Sequence, residues 1–411
     1  MELIQQNDGT TEACERKNCR SAIRWGALLV AAVLITALVT GTLVWYAAKK
    51  QYEAEDGRLV HSVKQAREII RDHFFYYEED EDALTEAVLK GLAAATGDTY
   101  AEYYTEEEYA DLTKQNQRTF VGVGVLTQIN EDGVVEIIDV YDDTPASEAG
   151  LQPGDVIIEI NGSVYSGETL TEFLGNLHAE DGALNLFVVR RGEETLSFDI
   201  IAREVHTPSV SYRMLTDHIG YIHVEAFHGT CVEETKAAFK ELRESGMTML
   251  VLDFRDNLGG SLYDAIDIAD IFLPRDYVVT TLRSRDGRVT EFKTKESGYD
   301  IKTVLLVNGL SASASELVAG ALKDYEAAYL IGTQTYGKGI VQTFYQIPET
   351  NGWLKLTTDA YYTPNGVCVQ DEGITPDLIV ALPEEANRYA IDRIPEGLDS
   401  QLIAAIAYLE E

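Results

Sequence analysis

The string Asn308-Gly309-Leu310-Ser311-Ala312-Ser313-Ala314-Ser315-Glu316 places three hydroxyls among residues too small to shield them, and Tyr336-Gly337-Lys338-Gly339-Ile340-Val341-Gln342 sets one lysine between two glycines. A serine attacks a carbonyl only when a base takes its proton, and lysine is that base only when neutral, which requires burial among apolar neighbours. Tyr336, Ile340 and Val341 supply such neighbours. If the run from Lys338 to Gln342 is extended, positions 338, 340 and 342 share one face, so the Gln342 carbonyl can accept a hydrogen bond from the amine and orient its lone pair. A helix starting near Ser315 leaves unpaired N–H groups where a tetrahedral oxyanion needs donors. Taken singly, a helix-capping loop and a solvated turn explain these strings at least as well. Jointly they point to acyl transfer through a serine.

Rival chemistries lack their residues: the sequence holds no HExxH zinc pair, no G-x-S-x-G elbow and no Walker glycine loop. His218, His223 and His228 straddle the strand-like run IGYIHVEAF, whose alternation puts neighbours on opposite faces, so they read as ordinary sheet histidines and no metal site is expected. No nucleotide or other cofactor is implied either.

The elements that must hold these strings alternate. Met249 to Arg255 reads as a strand followed by a helix from Tyr263 to Phe272, and Thr303 to Asn308 as a strand followed by a helix from Glu316 to Lys323. Ala328 to Gly332 is a further strand and Asp399 to Leu409 a closing helix, so this half is mixed α/β. Ahead of it Phe120 to Val125 alternates Val with Gly, Val134 to Val140 is β-branched, and Val156 to Ile160 is a strand closed by the Asn161-Gly162 turn. Glycine-rich backbone at Gly122 to Gly124 can turn its amides inward to hold a terminal carboxylate while a neighbouring strand edge accepts an extended peptide, which makes Phe120, Val121, Gly122, Val123, Gly124 and Val125 candidate peptide-binding residues. Residues 59 to 118 carry apolar positions at near-helical spacing, including Val60, Val63, Leu84, Val88 and Leu92, and read as a small helical region.

Across the 411 residues, 69 Asp and Glu outweigh 33 Lys and Arg, a net charge of -36 that repels phosphate backbones and makes nucleic acid a poor partner. Trp25 to Ala48 has no charged residue and suffices to cross a bilayer once, with Trp25, Trp45 and Tyr46 at its ends. Arg16, Lys17, Arg20 and Arg24 precede it and only Lys49 and Lys50 follow, so the amino end is expected in the cytoplasm and the body outside. Tyr46-Ala47-Ala48 lacks the small-x-small cleavage pattern, which favours an uncleaved anchor over a secreted form. Cys14 and Cys19 match no zinc spacing, and whether Cys231 and Cys368 pair is not legible.

The segment DDTPASEAGLQPGDVIIEINGSVYSG, with Phe120 to Val125 before it, resembles a PDZ domain of the bacterial type. Together with Leu252-Asp253-Phe254-Arg255-Asp256-Asn257-Leu258-Gly259-Gly260, the serine and lysine strings resemble the carboxyl-terminal processing peptidases, from about Asp56 to the end. The resemblance implies Ser313 as nucleophile, Lys338 as general base and Gln342 as the residue holding it, with Ser311 and Ser315 as spectators. It implies oxyanion donors at the Ala314 amide and at Gly259 or Gly260. Leu258 and Thr99 stand where the family usually has proline, away from the reacting groups. The implied organisation is a cytoplasmic tail 1–24, a transmembrane helix 25–48, a helical region 49–118, a PDZ domain 119–205 and a crotonase-like, ClpP-like peptidase core of strand-strand-helix units, 206–411. The implied partners are extracytoplasmic proteins or peptides with exposed apolar carboxyl ends, the membrane through one helix, and a second copy through the helical region. The competing reading from another class is a catalytically silent membrane scaffold whose PDZ domain tethers partners.

Overall fold

The computed structural model describes residues 36–46, 57–76, 78, 80–130, 133–167 and 169–411, and the chain divides after Leu84 into two compact units. In the first unit, residues 36–46 and 57–73 are helical. Of the expected membrane helix, residues 25–35 and 47–48 lie outside the described residues, as do Cys14 and Cys19. Among the described residues no helix is long and apolar enough to cross a membrane.

The second unit is built on a six-stranded sheet. Its strands run Val210–Met214, Ile219–Val224, Met249–Asp253, Lys302–Val307, Tyr329–Gly332 and Leu378–Ile379 in that spatial order, parallel except for the first. All six residues of Ile219–Val224 are buried, and so are five of the six in Lys302–Val307. A parallel sheet covered on both faces needs such continuous apolar strands. The helices Cys231–Glu244, Leu262–Ala269 and Ala314–Asp324 supply residues to the larger apolar cluster, and the helix Ser400–Glu410 packs Leu402, Ala405 and Leu409 against Tyr221, Val251 and Leu306 in a second.

Arg255 lies where Met249–Asp253 ends and is fully buried. Its Nε and Nη2 donate to Asp253 at 2.9 and 2.6 Å, its Nη1 and Nη2 to Asp399 at 2.9 Å each, and its Nη1 also to Gln401 at 3.0 Å. Asp253 also accepts from Tyr221 Oη at 2.8 Å. Burial by itself would raise the Asp253 carboxyl; the Arg255 guanidinium overrides it and holds Asp253 below the usual carboxylate range. The guanidinium thus ties the sheet to the cap of the closing helix.

A second, five-stranded sheet flanks the first. Gly352–Tyr362 is its spine, pairing with Ile340–Ile347, with Val278–Ser284 and with Glu102–Tyr104, while Val289–Lys293 pairs with Val278–Ser284. The region expected to be helical therefore contains the helices Glu81–Ala94 and Glu106–Asn116 but also gives this sheet a strand, since Tyr103 and Tyr104 need a partner edge that periodicity alone does not reveal. Tyr109 of the second helix stacks on Trp353 at 4.4 Å and meets Phe344 edge-on at 5.3 Å.

The remaining module has its own core, including Val135, Ile137, Ile157, Phe173, Phe187 and Val189. Its antiparallel strands are ordered Val125–Ile129, Val135–Val140, Val156–Ile160, Leu184–Arg191, Glu194–Ile201, with Ser163–Val164 beside Val156–Ile160. Val125–Ile129 is an edge strand, and Thr119–Gly122 pairs with Arg203–His206 where the chain enters and leaves. Asn161 and Gly162 both have positive φ, 50° and 86°, as a tight hairpin turn demands. Cys231 and Cys368 are both free.

Replacing Arg255 by Met strips two buried carboxylates of their counter-charge. The expected loss is about 3–5 kcal/mol of unfolding free energy, read from urea denaturation; a loss of less than about 1 kcal/mol would contradict this role.

Candidate active site

Three neighbouring parallel strands deliver the three candidate loops in order. Met249–Asp253 leads to Asn257–Gly260, Lys302–Val307 to Asn308–Ser313, and Tyr329–Gly332 to Thr335–Lys338, so the loops converge beyond the carboxyl ends of adjacent strands. They open on a cleft of about 1150 Å³ lined by Gly259, Gly260, Ser313, Ala314, Lys338 and Gln342. The helix Glu106–Asn116 lines it too, through Tyr109, Leu112 and Thr113.

The three serines are not equivalent. Ser311 is fully buried, accepts from the Asn308 amide at 2.9 Å and donates to the Phe254 carbonyl at 2.7 Å. Ser315 is fully buried and donates to the Asn257 carbonyl at 2.8 Å. Ser313 alone is partly exposed to the cleft, and its hydroxyl donates to no acceptor among the described residues. Its backbone sits at φ 54°, ψ −112°, a conformation that costs a non-glycine residue about 1–3 kcal/mol.

What holds it there is double. The fully buried Glu316 carboxylate accepts from the Ser313 amide and from the Lys338 amide, both at 2.9 Å through Oε2. Its Oε1 accepts from the Gly337 amide and the Thr335 hydroxyl at 2.6 Å. Tyr361 Oη, from the spine strand, lies 2.9 Å from the Ser313 carbonyl and 2.8 Å from the Lys338 carbonyl, so one proton is shared between them. Burial, reinforced by Glu316, pushes the Tyr361 phenol well above its ordinary value, so it stays a donor. One acid takes both N–H groups and one phenol serves both carbonyls of the two candidate residues. The sequence reading missed Glu316 and Tyr361. Ser313-x-x-Glu316 has the spacing of a helix-capping box, which was a usable signal for the acid; Tyr361 had none.

Asn257 completes the frame. Fully buried, it donates Nδ2 to the Val224 carbonyl at 2.7 Å, and its own carbonyl accepts from the Ala312 amide at 3.0 Å. Its Oδ1 takes the Gly259 amide at 2.9 Å, which commits that donor. The amides of Gly260 and Ala314 donate to nothing among the described residues. Gly259 has φ 101°, and a Cβ there would lie 2.7 Å from the Ala312 oxygen and 2.9 Å from Ser313 Cβ, so the close approach requires glycine.

Lys338 is half-buried, and burial first, then the charge of Lys355, hold its amine below the usual lysine range against the pull of Asp98. Its Nζ lies 4.4 Å from the centre of the Tyr100 ring, and no hydrogen bond joins it to Ser313 or Gln342. The strand begins only at Ile340, and a bulge on the partner strand opposite Val341 and Gln342 shifts the pairing register, while Lys338, Ile340 and Gln342 all line the cleft. The Gln342 Nε2 donates to Thr357 Oγ1 at 3.2 Å.

The loop Phe120 to Val125 lies outside this cleft. Its Val123 and Gly124 amides donate to no protein acceptor among the described residues, while their carbonyls take the Ala146 and Tyr141 amides. Gly124, at φ 86°, abuts Thr144, where a Cβ would lie 2.4 Å from the threonine Cβ. Of the three histidines only His223 lies in a strand; His228 is in the following loop and lines the cleft, its imidazole lowered by burial and Arg118. No group that could hold a metal ion occurs among the described residues.

Residues 218–380 match peptidase family S41 and residues 136–191 match a PDZ domain. A carboxy-terminal-processing protease of Bartonella bacilliformis is 36% identical over 322 residues, covering 76% of this chain and 73% of that protein. A CtpA-like serine protease of Staphylococcus haemolyticus is 30% identical, covering 87% and 72%. Among solved structures, an S41 protease from Bacteroides fragilis superposes with a TM-score of 0.55 at 19% identity over 83% of this chain and 93% of that one, a likeness of fold.

Replacing Glu316 by Ala leaves three amides and a hydroxyl without their acceptor, each worth about 1–3 kcal/mol when buried. The expected outcome is a stability loss of about 2–5 kcal/mol and a fall of about 100-fold or more in kcat, with Glu316→Gln intermediate; turnover within twofold of wild type for the Ala variant would refute the clasp.

Proposed function

Because this chain belongs to the S41 carboxy-terminal-processing serine peptidases and carries a PDZ domain, we propose that it cuts extracytoplasmic proteins near their carboxyl ends by a Ser313–Lys338 mechanism. The observation that carries the reading is the inequality of the three serines: Ser311 and Ser315 are spent on backbone carbonyls, whereas Ser313 faces the cleft that Lys338 also lines.

In this reading the neutral Lys338 amine takes the Ser313 hydroxyl proton as Oγ attacks the scissile carbonyl carbon. The oxyanion is met by the Ala314 and Gly260 amides, since the Gly259 amide is engaged by Asn257. Lys338 then returns the proton to the leaving amine, and water repeats the sequence on the acyl-enzyme. Gln342 serves to orient the amine once it leaves Tyr100, through the side-chain oxygen, while its Nε2 stays on Thr357.

The PDZ domain is proposed to hold the substrate's terminal carboxylate on the Val123 and Gly124 amides and its extended chain along the edge strand Val125–Ile129. Anchoring by residues 25–48, with the body outside the membrane, rests on the apolar run and the basic residues before it. Pairing with a second copy through the helical region and the crotonase-like descent of the core rest on family resemblance. The alternation of strands 249–253, 302–307 and 329–332 with helices supports the latter.

The test uses an unstructured peptide with a free or amidated apolar carboxyl end. Ser313→Ala and Lys338→Ala are each expected to lower turnover by about 10³-fold or more with unchanged unfolding midpoints, and amidation to weaken binding about tenfold or more by removing charge-assisted hydrogen bonds. Turnover by either variant near the wild-type rate rejects the mechanism, and equal handling of both peptides rejects carboxyl-end recognition.

A further inference from the structure

Lys338 is gripped by a residue from outside the peptidase core. Tyr100 lies between the helix Glu81–Ala94 and the strand Glu102–Tyr104, and its ring faces the Lys338 ammonium at 4.4 Å. The placement is built. Asp98 Oδ1 accepts from the Tyr100 amide at 2.9 Å, and the other Asp98 oxygen accepts from the Thr357 amide on the spine strand at 3.2 Å. Glu102 to Tyr104 then pair with Lys355 to Trp353, and Tyr103 Oη donates to Thr350 Oγ1 at 2.8 Å. The ring is therefore fixed to the same strand whose Tyr361 holds the Lys338 carbonyl.

We propose that Tyr100 is a positioning residue that parks Lys338 away from Ser313, gripping the protonated amine on its ring face and releasing it once the proton is lost. An aromatic face attracts an ammonium through its quadrupole and has no comparable hold on a neutral amine. The neutral amine is also the form that can act as a base, so grip and reactivity exclude one another. The charged or titratable groups around the amine and the Tyr100 ring are Lys355, Asp98, Asp371, Tyr100 and Tyr336, with Glu316 on the Lys338 amide and Tyr361 on its carbonyl. Burial and Lys355 ease loss of the proton; Asp98 resists it. The inference rests on Lys338 being the base for Ser313, and its test separates the two.

The full-length protein in detergent is reacted at neutral pH with an excess of a fluorophosphonate, and the rate of adduct formation on Ser313 is followed by mass spectrometry. Tyr100→Leu keeps bulk but loses the ring face and is expected to react about three- to tenfold faster than wild type. Tyr100→Phe keeps the face and is expected to restore the wild-type rate. Tyr100→Trp, with the stronger face, is expected to react more slowly, and it carries the test if the Leu variant fails to fold. A folded Leu variant that reacts no faster than wild type overturns the proposal, as does a Trp variant that reacts as fast as wild type or faster. Lys338→Ala is measured alongside: if it reacts as fast as wild type, the base assignment itself has failed, and the parking role falls with it.

Discussion

The Glu316 carboxylate is the contact on which the arrangement of the site depends. It lies at the first turn of the helix Ala314–Asp324, where the unpaired amides of a helix start favour negative charge. A carboxylate removed from water costs several kcal/mol unless its lone pairs are met by donors. Here four donors meet it, and they come from both the serine loop and the lysine loop. Satisfying the acid therefore fixes the two loops against each other. Tyr361 does the same for the opposite side of the same two peptide units, and it brings in the second sheet.

A chain of further constraints supports this clasp. The strained backbone at Ser313 persists because its N–H and C=O are both taken, and because Ala312 and Ser315 bond the Asn257 carbonyl on the neighbouring loop. Asn257 in turn follows Arg255, whose buried bonds to Asp253 and Asp399 hold the end of the strand and the closing helix together. Helix 400–410 thus reaches the active site through one guanidinium without lining the cleft.

Much of this was legible in the sequence. The strand-helix alternation and the Asn161-Gly162 hairpin follow from local residue chemistry, and the serine and lysine strings lie on loops that line one cleft. What was not legible is tertiary. The strand Glu102–Tyr104 exists because an edge of Gly352–Tyr362 accepts it, and no period announces that. Gln342 comes opposite Thr357 because a bulge on the partner strand resets the register, which alternation alone cannot show. Tyr100 and Tyr361 carry no motif; they matter through residues distant in sequence.

The central claim is that this clasp makes Ser313, and neither neighbour, the nucleophile of a lysine whose pKa is lowered. It is tested most directly by reacting the wild-type protein with a fluorophosphonate across a range of pH and locating the adduct by tandem mass spectrometry. The account predicts an adduct on Ser313 alone, forming faster as pH rises through a midpoint below the lysine value of about 10.4. An adduct on Ser311 or Ser315, or a rate on Ser313 that does not change with pH, would contradict it.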